Sequence, residues 1–288
     1  MPESPSQDSA RTTYLGLRLA MPILVLLLGI GIAVRFMATG CVQPSISAYY
    51  YTPLRSLFVA TLCAIGTCLI IYRGRNDREN AFLNVSGVMA FVVAFEPTEI
   101  GASPCDLSNT PIDQEVFDAT RNNVLALLGA GVVAMIVAGG LAVWSSKSPA
   151  GRPRASSKAG GGPIVGALGL AVPIVLIGTL FFTDFDVFVV WAHLAAAVTL
   201  FVGVVAVVIL SCLDGTAPGW SRTVYIGLAV AMALAAGLLL TNLPSRVFWA
   251  ESLLILLFAL YWVTQTIDLE LRQVGPARGR LAEDRVLH

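Results

Sequence analysis

The chain has 288 residues, of which 56% are hydrophobic and only 12% are charged, and its mean hydropathy is +0.78. Soluble domains carry about 25% charged residues, so this composition excludes a water-exposed surface around one or two cores. The 18 basic and 18 acidic residues cancel to a formal net charge of zero, and bulk charge gives no support for nucleic-acid binding. The composition is typical of an integral membrane protein, whose expected partner is the lipid bilayer.

Eight apolar segments follow one another along the chain. A helix that crosses the hydrocarbon core needs about 20 apolar residues, and the segments are continuously apolar, without the alternation of a barrel strand. We therefore predict an all-α, polytopic bundle of about eight transmembrane helices. The segments are 14–36, 56–72, 81–96, 123–144, 164–182, 188–210, 223–240 and 247–267. The first helix is expected to remain uncleaved, because Arg35 interrupts the apolar run before the ATGC that ends at Cys41.

The distribution of basic residues predicts the orientation. With eight helices both termini share one side, and that side holds fourteen of the 18 Lys and Arg residues. The positive-inside rule then places both termini in the cytoplasm and makes the protein a multi-pass protein of the cell membrane. The predicted parts are a cytoplasmic tail at 1–13, a four-helix half at 14–144 with an outer loop at 97–122, a cytoplasmic linker at 145–163, a second four-helix half at 164–267 and a cytoplasmic tail at 268–288.

The two halves begin with similar helices. The string LRLAMPILVL starts at Leu17 and LGLAVPIVLI starts at Leu168, and each places a proline about one turn inside the membrane. Four helices per half would form a parallel repeat. Apolar segments also match by chance, so both a true duplication and a coincidental match stay open.

Two cysteines lie on the predicted outer face. Cys41 follows the first helix and Cys105 lies in the loop at 97–122, whereas the other three cysteines fall in or beside apolar helices. A disulfide can persist on the oxidising face, so these two residues are a disulfide candidate, with two unpaired cysteines as the alternative. No Cys or His spacing suggests a zinc site, and we predict no metal.

The sequence carries no recognisable catalytic signature. P-loop, GxGxxG, HExxH and GxSxG motifs are missing, and the only histidines are His193 and His288. A His-rich zinc site of the kind used by membrane ceramidases therefore cannot be built. We predict no catalytic residue and no cofactor. Whether the protein is an enzyme stays open, and a protein without enzymatic activity is favoured.

Ionisable residues near the predicted outer ends of the helices are the candidates for a site, since charges inside a membrane are costly. Arg55 begins the second helix, where a cation opposes the helix dipole, and this predicts an acidic partner in Glu96 or Glu251. His193 lies at a similar depth. We expect Arg55, His193 and Glu251 to converge in an outward-facing polar pocket; the remaining ligand-binding candidates are Ser47, Tyr50, Tyr51 and Glu96. The predicted inner half of the membrane has no comparable set of ionisable residues. The alternative to a pocket is a belt of aromatic residues at the membrane surface, with Arg55 extending its charged group to the lipid headgroups.

Four strings carry a resemblance to a known family: SISAYYYTPLRSLFVATLCAIGTCLIIYRG, NVSGVMAFVVAFEPT, WAHLAAAVTLF and FWAESLLILLFALYW. They resemble a family of uncharacterised bacterial multi-pass integral membrane proteins with a Ser-x-Ser-x-Tyr-Tyr-Tyr-Thr stretch followed by arginine. The resemblance identifies which positions match the family, but it implies no chemistry for them, because the family has no established activity. The matching positions are Ser45, Ser47, Tyr50, Arg55, Pro97, Thr98, His193, Glu251 and Trp262; Glu96 departs from the pattern.

These observations favour a membrane protein whose outer polar pocket binds a small molecule or a lipid headgroup, for transport or sensing. One alternative is a metal-independent enzyme with His193 as general base and Glu251 orienting it. The other is a structural subunit of a membrane complex.

Overall fold

The computed structural model describes residues 5–98, 105, 114–147, 162–214 and 219–286. These residues form eight α-helices and two short 3-10 helices, with no strand among them. Each predicted apolar segment coincides with helical structure to within one residue at its end, which confirms the all-α prediction. The elements in chain order are α1 (Pro5–Thr39), a 3-10 helix η1 (Ser47–Tyr51), α2 (Arg55–Ile71), α3 (Asp77–Phe95), α4 (Gln114–Lys147), α5 (Gly162–Thr183), α6 (Phe185–Cys212), α7 (Gly219–Gly237), a 3-10 helix η2 (Leu238–Leu240) and α8 (Arg246–Val286).

Five of these helices are long and apolar enough to cross a membrane. Large apolar side chains cover the outside of the bundle: Leu26 on α1, Ile136 on α4 and Val202 on α6 are 60%, 68% and 60% exposed. A surface of this kind is suited to hydrocarbon rather than to water. The protein is therefore a membrane-embedded, multi-pass protein. The candidate spans are Arg11–Thr39, Val116–Gly140, Phe185–Cys212, Gly219–Leu240 and Arg246–Leu271.

The central element is α3, which packs against α2, α5 and α6. Small residues allow these close approaches, as is common where helices associate in membranes. A Cβ atom added to Gly87 of α3 would lie 2.7 Å from the carbonyl oxygen of Gly66 on α2, and the reverse substitution would be equally close. On the α6 side, Ser86 faces Gly203 and donates a hydrogen bond to the Leu200 carbonyl oxygen. These contacts fix α3 in the middle of the bundle.

Six helices form a closed ring in the order α1, α2, α3, α6, α7 and α8, and α8 returns to pack on α1. Helix α5 packs on the outside of α3, and α4 lies against α5 and α3. The two predicted halves are therefore interlocked in one bundle, and their origin by duplication stays a prediction. Pro22 and Pro173 do lie inside α1 and α5.

Several helices extend beyond their apolar segments. Helix α1 begins at Pro5, α4 begins at Gln114 within the predicted outer loop, and α8 continues through the predicted tail to Val286. The reason is that backbone hydrogen bonding continues a helix into water, whereas the apolar run marks only the part in lipid. Most of the predicted linker, at 148–161, lies outside the described residues.

Candidate functional site

The predicted site residues lie at one end of the bundle, where α3 ends and α2, α6 and α8 begin. We refer to this as the Glu96 end. Glu251 contacts the start of η1: its Oε2 accepts a hydrogen bond from the backbone N–H of Ile46 at 2.6 Å. It also accepts hydrogen bonds from the backbone N–H and the hydroxyl of Ser47. Amides at the start of a helix have no partner within it, so Glu251 holds η1 against α8.

Arg55 lies on the exposed side of the same end. Its guanidinium donates a hydrogen bond to the Tyr50 hydroxyl at 2.6 Å and lies 4.3 Å from the centre of that ring. The described residues contain three ion pairs, and Arg55 takes part in none of them. The partner of Arg55 is thus the phenol of Tyr50 instead of the expected carboxylate. Glu251 is already hydrogen-bonded to the start of η1. At the bundle surface Arg55 gains a cation–π contact while its charge remains hydrated.

His193 is buried on α6 and reaches the end of α3. Its Nδ1 lies 2.5 Å from the backbone carbonyl oxygen of Glu96. A carbonyl oxygen only accepts hydrogen bonds, so Nδ1 carries the proton in this contact. The contact positions the imidazole ring against the last residues of α3.

Glu96 is the least satisfied polar group at this end. Its side chain is completely buried, and neither carboxylate oxygen has a hydrogen-bond partner among the residues that the structure describes. It lines a cavity of about 220 Å³ between the ends of η1, α3, α4 and α6, which we call the Glu96 cleft. Tyr51, Phe117 and Asp186 also line it, and the Tyr51 hydroxyl is fixed by donating to the Thr98 carbonyl oxygen at 3.0 Å.

A second cavity of about 60 Å³, which we call the central cavity, lies within the ring of helices. Its walls are apolar side chains of α1, α2, α3, α6 and α8, and its polar members are Ser47 and Glu251. The predicted single pocket is therefore divided. Ser47 and Glu251 line the central cavity, Tyr51 and Glu96 line the cleft, and Arg55 and His193 are in the described lining of neither.

Cys41 and Cys105 form a disulfide in the structure, which is the pairing proposed from the sequence. The bond connects the end of α1 to the segment between α3 and α4. Within the described ranges, no group of three or more His, Cys, Asp or Glu side chains is placed to hold a metal ion.

The opposite end of the bundle holds a polar network that the sequence analysis missed. Arg75 forms ion pairs with Glu79 and Asp214, both at 2.8 Å, and it also donates to the Ser211 hydroxyl. Ser211 in turn contacts the Tyr261 hydroxyl at 3.0 Å. The expectation that this half has no comparable set of polar residues is wrong. Burial disfavours the charge on Arg75, but the hydrogen bonds and negative charge of Glu79 outweigh it and raise the pKa of Arg75.

A local signal for this network was present in the sequence. Asn76 and Glu79 stand three residues apart before an apolar run, which is the spacing of a helix start, and the Asn76 side chain accepts from the Glu79 backbone N–H at 2.9 Å. From the sequence, the arginines in this loop were used only to predict how the protein is oriented in the membrane. Nothing in the order of residues along the chain indicates that Asp214 and Ser211 lie against Arg75.

Comparison with protein-family models, with curated proteins and with solved structures gives no match. The family resemblance therefore rests on the residue patterns alone.

Proposed function

We propose that this protein binds a small, positively charged molecule or lipid headgroup in the Glu96 cleft. The observation that carries the proposal is the buried Glu96 carboxylate, which has no hydrogen-bond partner among the described residues. Buried carboxylates are normally paired or hydrogen-bonded, because an uncompensated charge is costly to remove from water. A cationic group in the cleft would supply the missing partner.

The lining of the cleft supports a cation rather than an anion. Asp186 adds a second carboxylate, and Tyr51 and Phe117 add aromatic rings on which an ammonium group can pack. None of the described lining residues is basic. The shared ligand chemistry is an amine, whether it belongs to a soluble molecule or to a phospholipid such as phosphatidylethanolamine.

Binding is favoured over catalysis by the partners of the two residues proposed for an enzyme. Glu251 is engaged by η1, and His193 contacts the Glu96 carbonyl oxygen. Neither is directed at the other in a base-and-orienter pair, which the enzyme hypothesis requires. The proposed role is therefore ligand binding for transport or sensing.

The binding experiment uses purified protein in nanodiscs. Ethanolamine added to phosphatidylglycerol nanodiscs tests a soluble amine, and phosphatidylethanolamine nanodiscs test a lipid headgroup. A ligand at 100 times its dissociation constant stabilises the protein by about 2.7 kcal/mol, so either source should raise the unfolding temperature. Glu96→Gln should abolish the shift, while Asp118→Asn, which removes an exposed carboxylate on α4, should keep it. Equal shifts in wild type and Glu96→Gln, or no shift in either nanodisc, would contradict the proposal.

We also propose that the Glu96 end faces the cell exterior, since the basic residues concentrate at the other end. A cysteine at Asp118 should react with a membrane-impermeant maleimide in intact cells, whereas a cysteine at Arg222 should react only after the cells are opened. The reverse pattern would show that the orientation is inverted.

A further inference from the structure

The Glu96 cleft is lined by two carboxylic acids that differ in exposure. Glu96 is completely buried, and its carboxylate oxygens have no hydrogen-bond partner among the described residues. Asp186, in the first turn of α6, lines the same cleft and is exposed. It takes part in none of the three ion pairs within the described ranges. The cleft therefore offers negative charge both in its buried interior and at its exposed side.

Helix α6 sets the spacing between these two groups. Asp186, Val189 and Val190 lie on one face of this helix and line the cleft. His193, seven residues after Asp186, continues that face, and its Nδ1 contacts the Glu96 carbonyl oxygen at 2.5 Å. At a rise of about 1.5 Å per residue, this separation spans about 10 Å along the helix axis. Asp186 therefore lies about two turns from the level at which α6 meets Glu96.

The other walls of the cleft are mainly apolar. Tyr51 and Phe117 contribute aromatic rings, and Val116 and Val189 contribute aliphatic side chains. In the part of the lining that the structure describes, no residue is basic. The cleft volume is about 220 Å³. A cavity of about 150 Å³ can hold benzene, so the cleft has room for a chain of roughly four to six carbons.

We infer that the ligand of the Glu96 cleft is a soluble diamine, with one ammonium group at Glu96, the other at Asp186 and its carbon chain along the apolar walls. This inference rests on the proposed function and narrows the ligand class from amines in general. A phosphatidylethanolamine headgroup fits less well, because its phosphate is joined to its ammonium group by a short ethylene link. With the ammonium at Glu96, the phosphate would face the Asp186 carboxylate with no basic residue in the described lining to balance it.

The first test compares diaminopentane with pentylamine by isothermal titration calorimetry, using protein in phosphatidylglycerol nanodiscs and empty nanodiscs as the blank. The measured quantity is the diamine preference, which is the dissociation constant of pentylamine divided by that of diaminopentane. Asp186→Asn should lower this preference about fivefold, which corresponds to about 1 kcal/mol, the upper end for an exposed ion pair.

Asp184→Asn is the matched control, because Asp184 is also exposed but lies outside the described lining of the cleft. Its side chain accepts a hydrogen bond from the Val187 backbone N–H at the start of α6, and asparagine is an equally good residue at that position. The diamine preference of Asp184→Asn should therefore equal that of wild type.

The second test needs no substitution and measures the diamine preference of wild type from diaminoethane to diaminooctane, each against the monoamine of the same length. Diaminoethane is too short to reach both carboxylates, so its preference should not exceed the statistical advantage of two equivalent ends. The preference should be greatest between diaminobutane and diaminohexane, since chains of roughly four to six carbons fit the cleft. A third comparison tests the lipid: saturating diaminopentane in phosphatidylglycerol nanodiscs should raise the unfolding temperature more than phosphatidylethanolamine nanodiscs do.

The outcomes separate this inference from the proposed function. If pentylamine binds but Asp186→Asn keeps the wild-type preference, or if the preference has no maximum at intermediate length, the diamine inference is overturned while the proposed function stands. Equal losses in Asp186→Asn and Asp184→Asn would also overturn it, because the effect would then come from the general field of the acidic residues. A rise of the unfolding temperature in phosphatidylethanolamine nanodiscs that matches the effect of diaminopentane would overturn it in favour of a lipid headgroup. If neither amine binds, the proposed function fails and the inference with it. Should Asp186→Asn not fold, the chain-length series in wild type decides.

Discussion

Glu96 is buried and Glu251 is half-buried at the same end of the bundle, and substituting each by methionine should change stability in opposite directions. Methionine has nearly the same length and volume as glutamate, so neither change leaves a large cavity. Glu96 has no hydrogen-bond partner in the described part of the chain, whereas Glu251 accepts hydrogen bonds from Ile46 and Ser47. At Glu96 the substitution therefore removes a buried polar group that lacks a hydrogen bond. At Glu251 it removes a set of favourable hydrogen bonds.

The magnitudes follow from these contacts. Burying a polar group without a hydrogen bond costs about 1–3 kcal/mol in mutational data, so Glu96→Met should raise the free energy of unfolding by about 2 kcal/mol when no amine is present. Hydrogen bonds to a charged group contribute about 1.5–3 kcal/mol each, and the abandoned amides stay buried. Glu251→Met should therefore lower the free energy of unfolding by about 3 kcal/mol.

The assay is unfolding by SDS in mixed micelles, followed by far-ultraviolet circular dichroism at pH 7. Asp118→Asn serves as the control, because exposed substitutions usually stay within about 0.5 kcal/mol of wild type. If Glu96→Met destabilises the protein as much as Glu251→Met does, then Glu96 has a stabilising partner. The reasoning that leads from its isolation to a cationic ligand would then be refuted.

Two further substitutions test the packing of α3 and the polar network at its other end. Gly87→Leu should prevent α2 and α3 from approaching and so reduce the yield of folded protein in size-exclusion chromatography. Gly129→Leu should not reduce the yield, because no atom lies within 4 Å of its added Cβ. Equal yields of the two variants would contradict the close packing of α2 and α3. Arg75→Ala should lower the free energy of unfolding by about 2 kcal/mol, because it leaves the buried Glu79 without its cation. The exposed Arg73→Ala should have little effect in the same SDS titration, and similar losses for both arginines would mean that the ion pair contributes nothing.

The fold could be predicted from the sequence because the bilayer sets one dominant rule. Every backbone group in hydrocarbon must be hydrogen-bonded within its own segment, so a long apolar run becomes a helix whatever its neighbours are. The general location of the candidate residues was predictable for a related reason, since ionisable side chains lie where a helix approaches water. Both inferences depend on local composition alone.

The partners of those residues could not be predicted, because they depend on which helices pack together and on how each is rotated. Arg55 and Glu251 lie at the same end, yet the first contacts Tyr50 and the second contacts the start of η1. Glu96 was one candidate among seven in the sequence. Only the packing of α4 and α6 around the end of α3 shows that its carboxylate is enclosed and has no hydrogen bond to any described residue.

The position of α3 explains how an unpartnered carboxylate can persist. A charged residue at the end of a loosely packed helix could reach water or a counter-ion through a small shift of that helix. Helix α3 cannot shift in this way, because Gly87 meets the backbone of α2 and Arg75 joins the start of α3 to Asp214 beyond α6. The unfavourable burial of Glu96 is therefore held in place by favourable contacts elsewhere along the same helix, which is the arrangement expected where a binding site has been kept at the expense of stability. On this argument, loosening α3 by Arg75→Ala should weaken amine binding at the far end of the helix, even though Arg75 contacts neither cavity.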